Sequence, residues 1–193
     1  MSKPLDARRP LWEALEQYCL RPDAQLSRAR EVQRFIESSP RCFDRHYEPG
    51  HITGSCLLLN PAGDKCLLTL HRKLKRWLQL GGHAEGETNV LDVAQREAVE
   101  ESGITEIEAI EAAIFDVDIH LIPERPHLGE PAHFHYDIRY LMRAAHEDYT
   151  CSEESDALAW LSWQDAQERW DDFDEPMRRL YQLWRKRPDL CLR

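Results

Sequence analysis

The stretch GGHAEGETNVLDVAQREAVEESGI, residues 81–104, carries the start, body and end of one helix. Asn89 is a natural N-cap, and Asp92 three places on can reach back as the short form of a capping box. Gly103 suits the left-handed position that follows a last helical turn, with Ile104 after it. The spacing predicts a helix over 90–102. At about 100° per residue, Val90, Ala94, Glu97 and Glu101 share one stripe. Val93 and Glu100 flank it on one side and Leu91 and Ala98 on the other, which leaves Asp92, Gln95, Arg96 and Ser102 on the wet side.

Glu97, Glu100 and Glu101 therefore crowd the helix end whose dipole disfavours negative charge. Partly withdrawn from water, they would repel too strongly to stay ionised together unaided. A divalent cation such as Mg²⁺ offsets that repulsion, because it takes hard carboxylate oxygens and keeps waters that a phosphate can replace. An ordinary solvated acidic face explains the pattern less well. The acids continue the apolar stripe, and no Lys stands four residues away to pair them.

Upstream, ITGSCLLL (52–59) and KCLLTL (65–70) read as strands joined by the turn NPAGD. The segment HRKLKRW then concentrates His71, Arg72, Lys73, Lys75 and Arg76 just ahead of the glycines. It is either a solvated basic turn or a diphosphate clamp in which Arg72, Lys73 and Arg76 bind substrate. Further back, Leu11, Leu15 and Tyr18, then Leu26, Val32 and Ile36, recur at helical spacing over 11–19 and 25–38. Pro22 separates these helices and Pro40 closes the second.

Downstream, 110–122 and 132–142 show strand alternation, 157–163 suggests a last strand, and 164–186 a helical pair broken near Asp174–Pro176. Asp116, Asp118 and His120 alternate with apolar residues, as do His133, His135, Asp137 and Arg139. Antiparallel pairing would bring these polar faces together. Three readings stay open for them: a substrate pocket using His120, His133 and His135, an extra transition-metal site, or a hydrogen-bonded wet face.

Acids outnumber Lys plus Arg by 35 to 25, a net charge of −10, which argues against nucleic-acid or membrane binding through bulk charge. The six cysteines are scattered with no CxxC pair, which makes a cysteine zinc site improbable and reduced thiols in a cytoplasm the expected state. The N-terminus lacks a signal-peptide apolar stretch, and no run approaches a membrane span.

The run REAVEESGI, residues 96–104, resembles the second half of the Nudix box, R-E-U-x-E-E-x-G-U, with a small Ala98 at the first hydrophobic place. Gly82 lies at the distance before Arg96 that the box requires. The first half departs from it: Thr88 stands where the box has Glu, with Glu87 and Glu85 nearby, and Leu80 replaces the usual Pro. A looser resemblance covers about 45–165. GHITGS, HRKLKRWLQLGGHAEGET and the DVDIH and EPAHFHYDIRYL segments are similar to a bacterial Nudix subgroup.

The resemblance implies a Nudix-type α/β/α sandwich with a mixed sheet. Residues 1–45 would form a helical N-terminal extension, 46–170 the Nudix domain and 171–193 a C-terminal helix packed on it. It implies Mg²⁺- or Mn²⁺-dependent hydrolysis of a nucleoside diphosphate linked to another moiety. Glu97, Glu100 and Glu101, with the backbone carbonyl near Gly82, would hold the metal, and Arg96 would orient a neighbouring glutamate. Glu97 or an acid outside the helix would take the water's proton, Glu153 and Glu154 being loop candidates. The partner is a small-molecule diphosphate, with a second copy of the chain, a homodimer, as an open option. Two rival readings are a Nudix-fold ligand sensor without turnover and an isoprenyl-diphosphate isomerase-like enzyme.

Overall fold

The apolar residues spaced along the N-terminal segment form two helices in the computed structural model, which describes residues 6–126, 129–152 and 155–191. α1 (Arg9–Tyr18) buries Leu11, Leu15 and Tyr18, and α2 (Leu26–Ser38) buries Ala29, Val32, Phe35 and Ile36. Pro22 falls in the turn between them and α2 stops ahead of Pro40, whose ring disfavours helix in the residue before it. Arg8 ties the pair together by donating to the Ile36 carbonyl at 2.8 Å.

The strands β1 (Gly50–Leu59), β2 (Lys65–His71), β3 (Trp77–Leu78) and β4 (Leu80–His83) come next, followed by α3 (Val90–Ser102). Then come β5 (Ile107–Ala109), β6 (Asp116–Ile122), β7 (His133–Ala144), β8 (Ser155–Ser162), α4 (Trp163–Glu168) and α5 (Glu175–Arg185). Among the described residues the strands make one eight-stranded sheet ordered β3-β2-β1-β7-β5, with β4 on β1, β6 on β7 and β8 on β2. Of the single strand expected over 110–122 only Asp116–Ile122 forms, and β5 lies ahead of the expected range. Ala112 and Ala113 are exposed in a bend while Ile114 and Phe115 bury, because small residues supply little strand packing of their own. The two short strands β3 and β4 were not foreseen, being too brief to show alternation.

The chain divides into two compact units, Met1–Gly54 with Gly82–Ala94 and Ala112–Tyr140, and Ser55–Gly81 with Gln95–Glu111 and Leu141–Arg193. In unit one, β6 and β7 run antiparallel from Asp116↔Arg139 to Ile122↔His133. The N-terminal helices are fastened to them. Phe35 stacks on Tyr136 with ring centroids 3.9 Å apart, and Arg21 donates to the carbonyls of Ile114 and Phe115 at 2.7 and 3.2 Å. Gly54 allows a close approach, since a Cβ there would stand 2.8 Å from the Val90 carbonyl oxygen at the start of α3.

In unit two, β2 pairs β8 from Lys65↔Ser162 to His71↔Ser155, with a register slip between Leu70 and His71. The helical pair expected over 164–186 breaks where Asp174 caps α5, accepting from the Met177 N–H at 3.0 Å. α5 buries Met177, Leu180, Tyr181, Leu183 and Trp184, and Tyr181 lies against Phe173 and accepts from the Cys66 thiol at 2.9 Å. No helix of the described residues is long and apolar enough to cross a membrane.

Candidate active site

α3 has the bounds that its signals predicted. Asn89 Nδ2 donates to Asp92 Oδ2 at 2.5 Å, and the Val93 N–H donates to the Asn89 carbonyl. At the other end Gly103 has φ +71°, and its N–H reaches the Val99 carbonyl at 2.8 Å. Val90, Val93, Ala94 and Ala98 are buried as the stripe requires. Ser102 corrects the expectation of a wet side. It is fully buried, with its hydroxyl donating to the Ala98 carbonyl at 2.5 Å and accepting from the Ile104 N–H at 3.2 Å. A hydroxyl satisfied by its own backbone needs no water.

The three acids at this end differ in setting. The Glu97 side chain is only 15% exposed and Glu100 is 59% exposed, with Glu101 half-buried. Glu101 Oε1 accepts from the Gly81 N–H at 3.1 Å, which anchors the carboxylate to the residue just before Gly82 in β4. Arg96 donates from Nη1 to Glu97 at 2.7 Å and to Glu100 at 3.4 Å. Burial works against the Arg96 charge, but Glu97 and Glu100 outweigh it and hold the guanidinium pKa above its ordinary value.

The displaced loop acids separate. Glu85 takes a left-handed φ of +51° and pairs with Arg45 at 2.9 Å, whereas Glu87 is exposed, with its N–H on the Ala84 carbonyl. In the basic segment, Lys75 and Arg72 meet Asp156 at 2.6 and 3.5 Å, and Arg76 lies 3.9 Å from Asp174. Lys73 is exposed. The Lys75 hydrogen bond, with help from Arg72, holds the Asp156 carboxyl below the ordinary range. Glu153 and Glu154 lie outside the described residues.

In unit one the polar faces of β6 and β7 do come together, opposing Asp116 to Arg139, Asp118 to Asp137 and His120 to His135. They are not wet. Asp116, Asp118, Asp137 and Arg139 are all at most 3% exposed. Arg139 donates to Asp137 at 2.8 Å, to Asp116 at 3.2 Å and to Asp118 at 3.4 Å. Burial opposes its charge, yet the three carboxylates hold its pKa above the ordinary value. Thr53 of β1 adds a hydrogen bond to Asp137 at 3.0 Å, and Arg28 of α2 reaches Asp118 at 3.5 Å.

Beyond this knot the face turns to imidazoles. His51 of β1 lies 5.0 Å from His133 and 4.8 Å from His135 between ring centroids, and His83 lies 5.1 Å from both His51 and His135. His120 stands 5.3 Å from His135 and 3.3 Å from Asp118 through Nδ1. Burial, and then neighbouring rings, push the pKa of His51 down to about 3, and that of His135 far below its usual value. Burial, with Arg45, takes His83 down to about 4. His51 is 2% exposed, and among the described residues neither of its ring nitrogens has a hydrogen-bond partner. An unpaired buried polar atom costs about 1–3 kcal/mol.

Residues 50–182 match the family model described as the NUDIX domain. The chain belongs to the Nudix family. It is an enzyme, a Nudix hydrolase of diphosphate linkages. Solved structures show the fold. The Ap4A hydrolase of C. elegans in a binary complex is 18% identical over 70% of this chain and 95% of its own, with a TM-score of 0.55. The MutT protein of Methanosarcina mazei Go1 is 17% identical over 72% of this chain and 96% of its own, with a TM-score of 0.54. A NUDIX family hydrolase from Clostridium perfringens is 24% identical over 70% of this chain and 97% of its own, at 0.50. Among curated proteins no significant match is found. The fold class is the expected Nudix α/β/α sandwich, a mixed sheet flanked by helices.

For this Nudix hydrolase, His51 and His83 are the residues that sequence reasoning missed. A signal for His51 was present: His51, Thr53 and Ser55 alternate along β1 and are all buried, a polar face matching those of β6 and β7. His83 sits on a strand of four residues, too short for any periodicity.

Proposed function

We propose that the chain hydrolyses a nucleoside diphosphate linked to another moiety. Glu97, Glu100 and Glu101, with the carbonyl of Gly82, would hold Mg²⁺ or Mn²⁺. The observation that carries this is the carboxylate group at the end of α3, where Glu97 and Glu101 are partly buried and Glu101 is anchored by the Gly81 N–H. The donors are oxygens of the hard type that these cations select. A cation there would supply neutralisation of the phosphate oxygens and a more acidic water.

The chain's own groups then have distinct tasks. Arg96 spans Glu97 and Glu100 and keeps the Glu97 carboxylate in one orientation. Glu97, the more shielded of that pair, accepts the proton of the water that attacks phosphorus. Arg72, Lys73 and Arg76 meet the diphosphate, Arg72 exchanging its exposed pair with Asp156 for a phosphate oxygen. A substrate pocket using His120, His133 and His135 is one of the three readings that their alternation leaves open, beside a transition-metal site. Their mutual approach favours the different role argued below.

The test is a panel of nucleoside triphosphates, nucleotide sugars, dinucleotides and isoprenyl diphosphates with Mg²⁺ or Mn²⁺, with products identified by mass. Cleavage at a diphosphate that disappears with chelator and in Glu101→Gln is the expected result. Undiminished turnover in either control would overturn the assignment, and binding without cleavage would favour a ligand sensor.

A further inference from the structure

Apart from the acids of α3, one cluster in unit one has donors of a different chemical kind. His133 and His135 stand two apart on β7 and so share a face, with their Nε2 atoms 3.3 Å from each other. His133 Nδ1 lies 2.8 Å from the Pro131 carbonyl oxygen. A carbonyl only accepts, so Nδ1 carries the proton and Nε2 presents its lone pair towards His135. This is the outer hydrogen bond that orients a ligating histidine. His51 brings a third ring whose two buried nitrogens lack partners.

We propose that His51, His133 and His135 bind a divalent d-block cation of the zinc type. One ring nitrogen from each of the three imidazoles lies within 4.8 Å of the others. A tetrahedral ion with metal–nitrogen bonds of about 2.0–2.1 Å holds its ligand atoms about 3.3–3.4 Å apart. The His133–His135 pair already has that separation, and the two edges to His51, at most 4.8 Å, would shorten on binding. Imidazole selects zinc, nickel, cobalt or copper over magnesium and calcium, so this site and the carboxylates of α3 would sort metals by donor type. Three protein ligands leave a fourth position, for which His83, 5.1 Å from both His51 and His135 between ring centroids, is the nearest imidazole. The ion would satisfy one of the two His51 ring nitrogens and join the entry of β1 to that of β7, where Phe134 already donates to the Pro49 carbonyl.

The experiment uses full-length protein stripped with chelator and titrated with Zn²⁺ in excess Mg²⁺, then with Co²⁺ while its visible absorption is recorded. One Zn²⁺ per chain and the intense bands of four-coordinate cobalt are expected. His133→Gln, at a half-buried strand end, should weaken Zn²⁺ binding at least tenfold while circular dichroism stays native. His51→Gln serves as a second ligand variant. Glu101→Gln should bind Zn²⁺ as the natural chain does, which separates failure of this site from failure of the hydrolase assignment. No Zn²⁺ uptake in Mg²⁺, unchanged affinity in folded His133→Gln, or loss of uptake in Glu101→Gln would each overturn the proposal.

Discussion

At the end of α3 the polar groups are carboxylates on a helix, partly open to water and steadied by one arginine. On β6 and β7 they are a buried knot of three aspartates on Arg139, continued by imidazoles. The helix end gathers three carboxylates of which one half-exposed arginine pairs two, whereas the strand face sets its three carboxylates on a buried Arg139, with Arg28 beside Asp118. With a divalent cation held there as proposed, the first arrangement would suit a site that binds and releases a polyanion. The second suits a fixed scaffold, because a buried pair is costly to open. On the proposed reading, the same two residue classes, acid and base, would serve turnover in one place and rigidity in the other.

Arg139→Met should break that contrast most severely. It strands three carboxylates in the interior, and removing one partner of a buried ion pair typically costs about 3–5 kcal/mol. Urea unfolding measures the loss. A change below about 1 kcal/mol would mean that the knot does not anchor β6 and β7. The opposite pattern is expected for Glu101→Gln, which relieves repulsion at the end of α3 and should leave the melting temperature near its natural value. Turnover should fall by more than about 100-fold, since even outer partners of metal ligands are worth about 10–100-fold. Arg96→Ala comes next. Arg96 bonds Glu97 and Glu100 and is proposed to position them, so kcat should drop about tenfold with KM nearly unchanged. A rise in KM alone would move Arg96 from positioning to substrate binding.

Much of this was legible in the residues. The bounds of α3 followed from Asn89 and Gly103, whose backbone roles are local. The facing of β6 and β7 followed from alternation over strands of seven and twelve residues. What escaped depended on tertiary partners. Ser102 reads as a surface residue until its bonds to Ala98 and Ile104 are seen, and His51, just ahead of the strand expected over 52–59, gains its imidazole neighbours only when β7 lies beside it. The alternation of β6 and β7 also misled at their far end. Leu121 and Phe134 are 55% and 40% exposed, so the apolar face there is the outer one.

The smallest effect concerns the basic segment, which the residues left between a solvated turn and a phosphate clamp. Lys75 and Arg72 share one exposed carboxylate, Asp156, and exposed pairs of this kind contribute little to folding. Asp156→Asn should therefore leave the melting temperature unchanged while releasing two cations. If those cations meet the diphosphate, affinity for inorganic pyrophosphate should rise about two- to fivefold at low salt, the scale of one exposed ion pair. The gain should fade as ionic strength shortens the reach of exposed charges. The sign of the pH dependence follows from the depressed Asp156 carboxyl, which stays ionised and paired above its ordinary value of 3.8 and loses its charge only in stronger acid. Natural and Asp156→Asn proteins should thus differ at neutral pH and still at pH 3.8, converging only in the stronger acid that protonates the depressed carboxyl. Equal pyrophosphate affinity at neutral pH and low salt would show that the segment is a solvated turn, and would leave recognition of the diphosphate to the end of α3 alone.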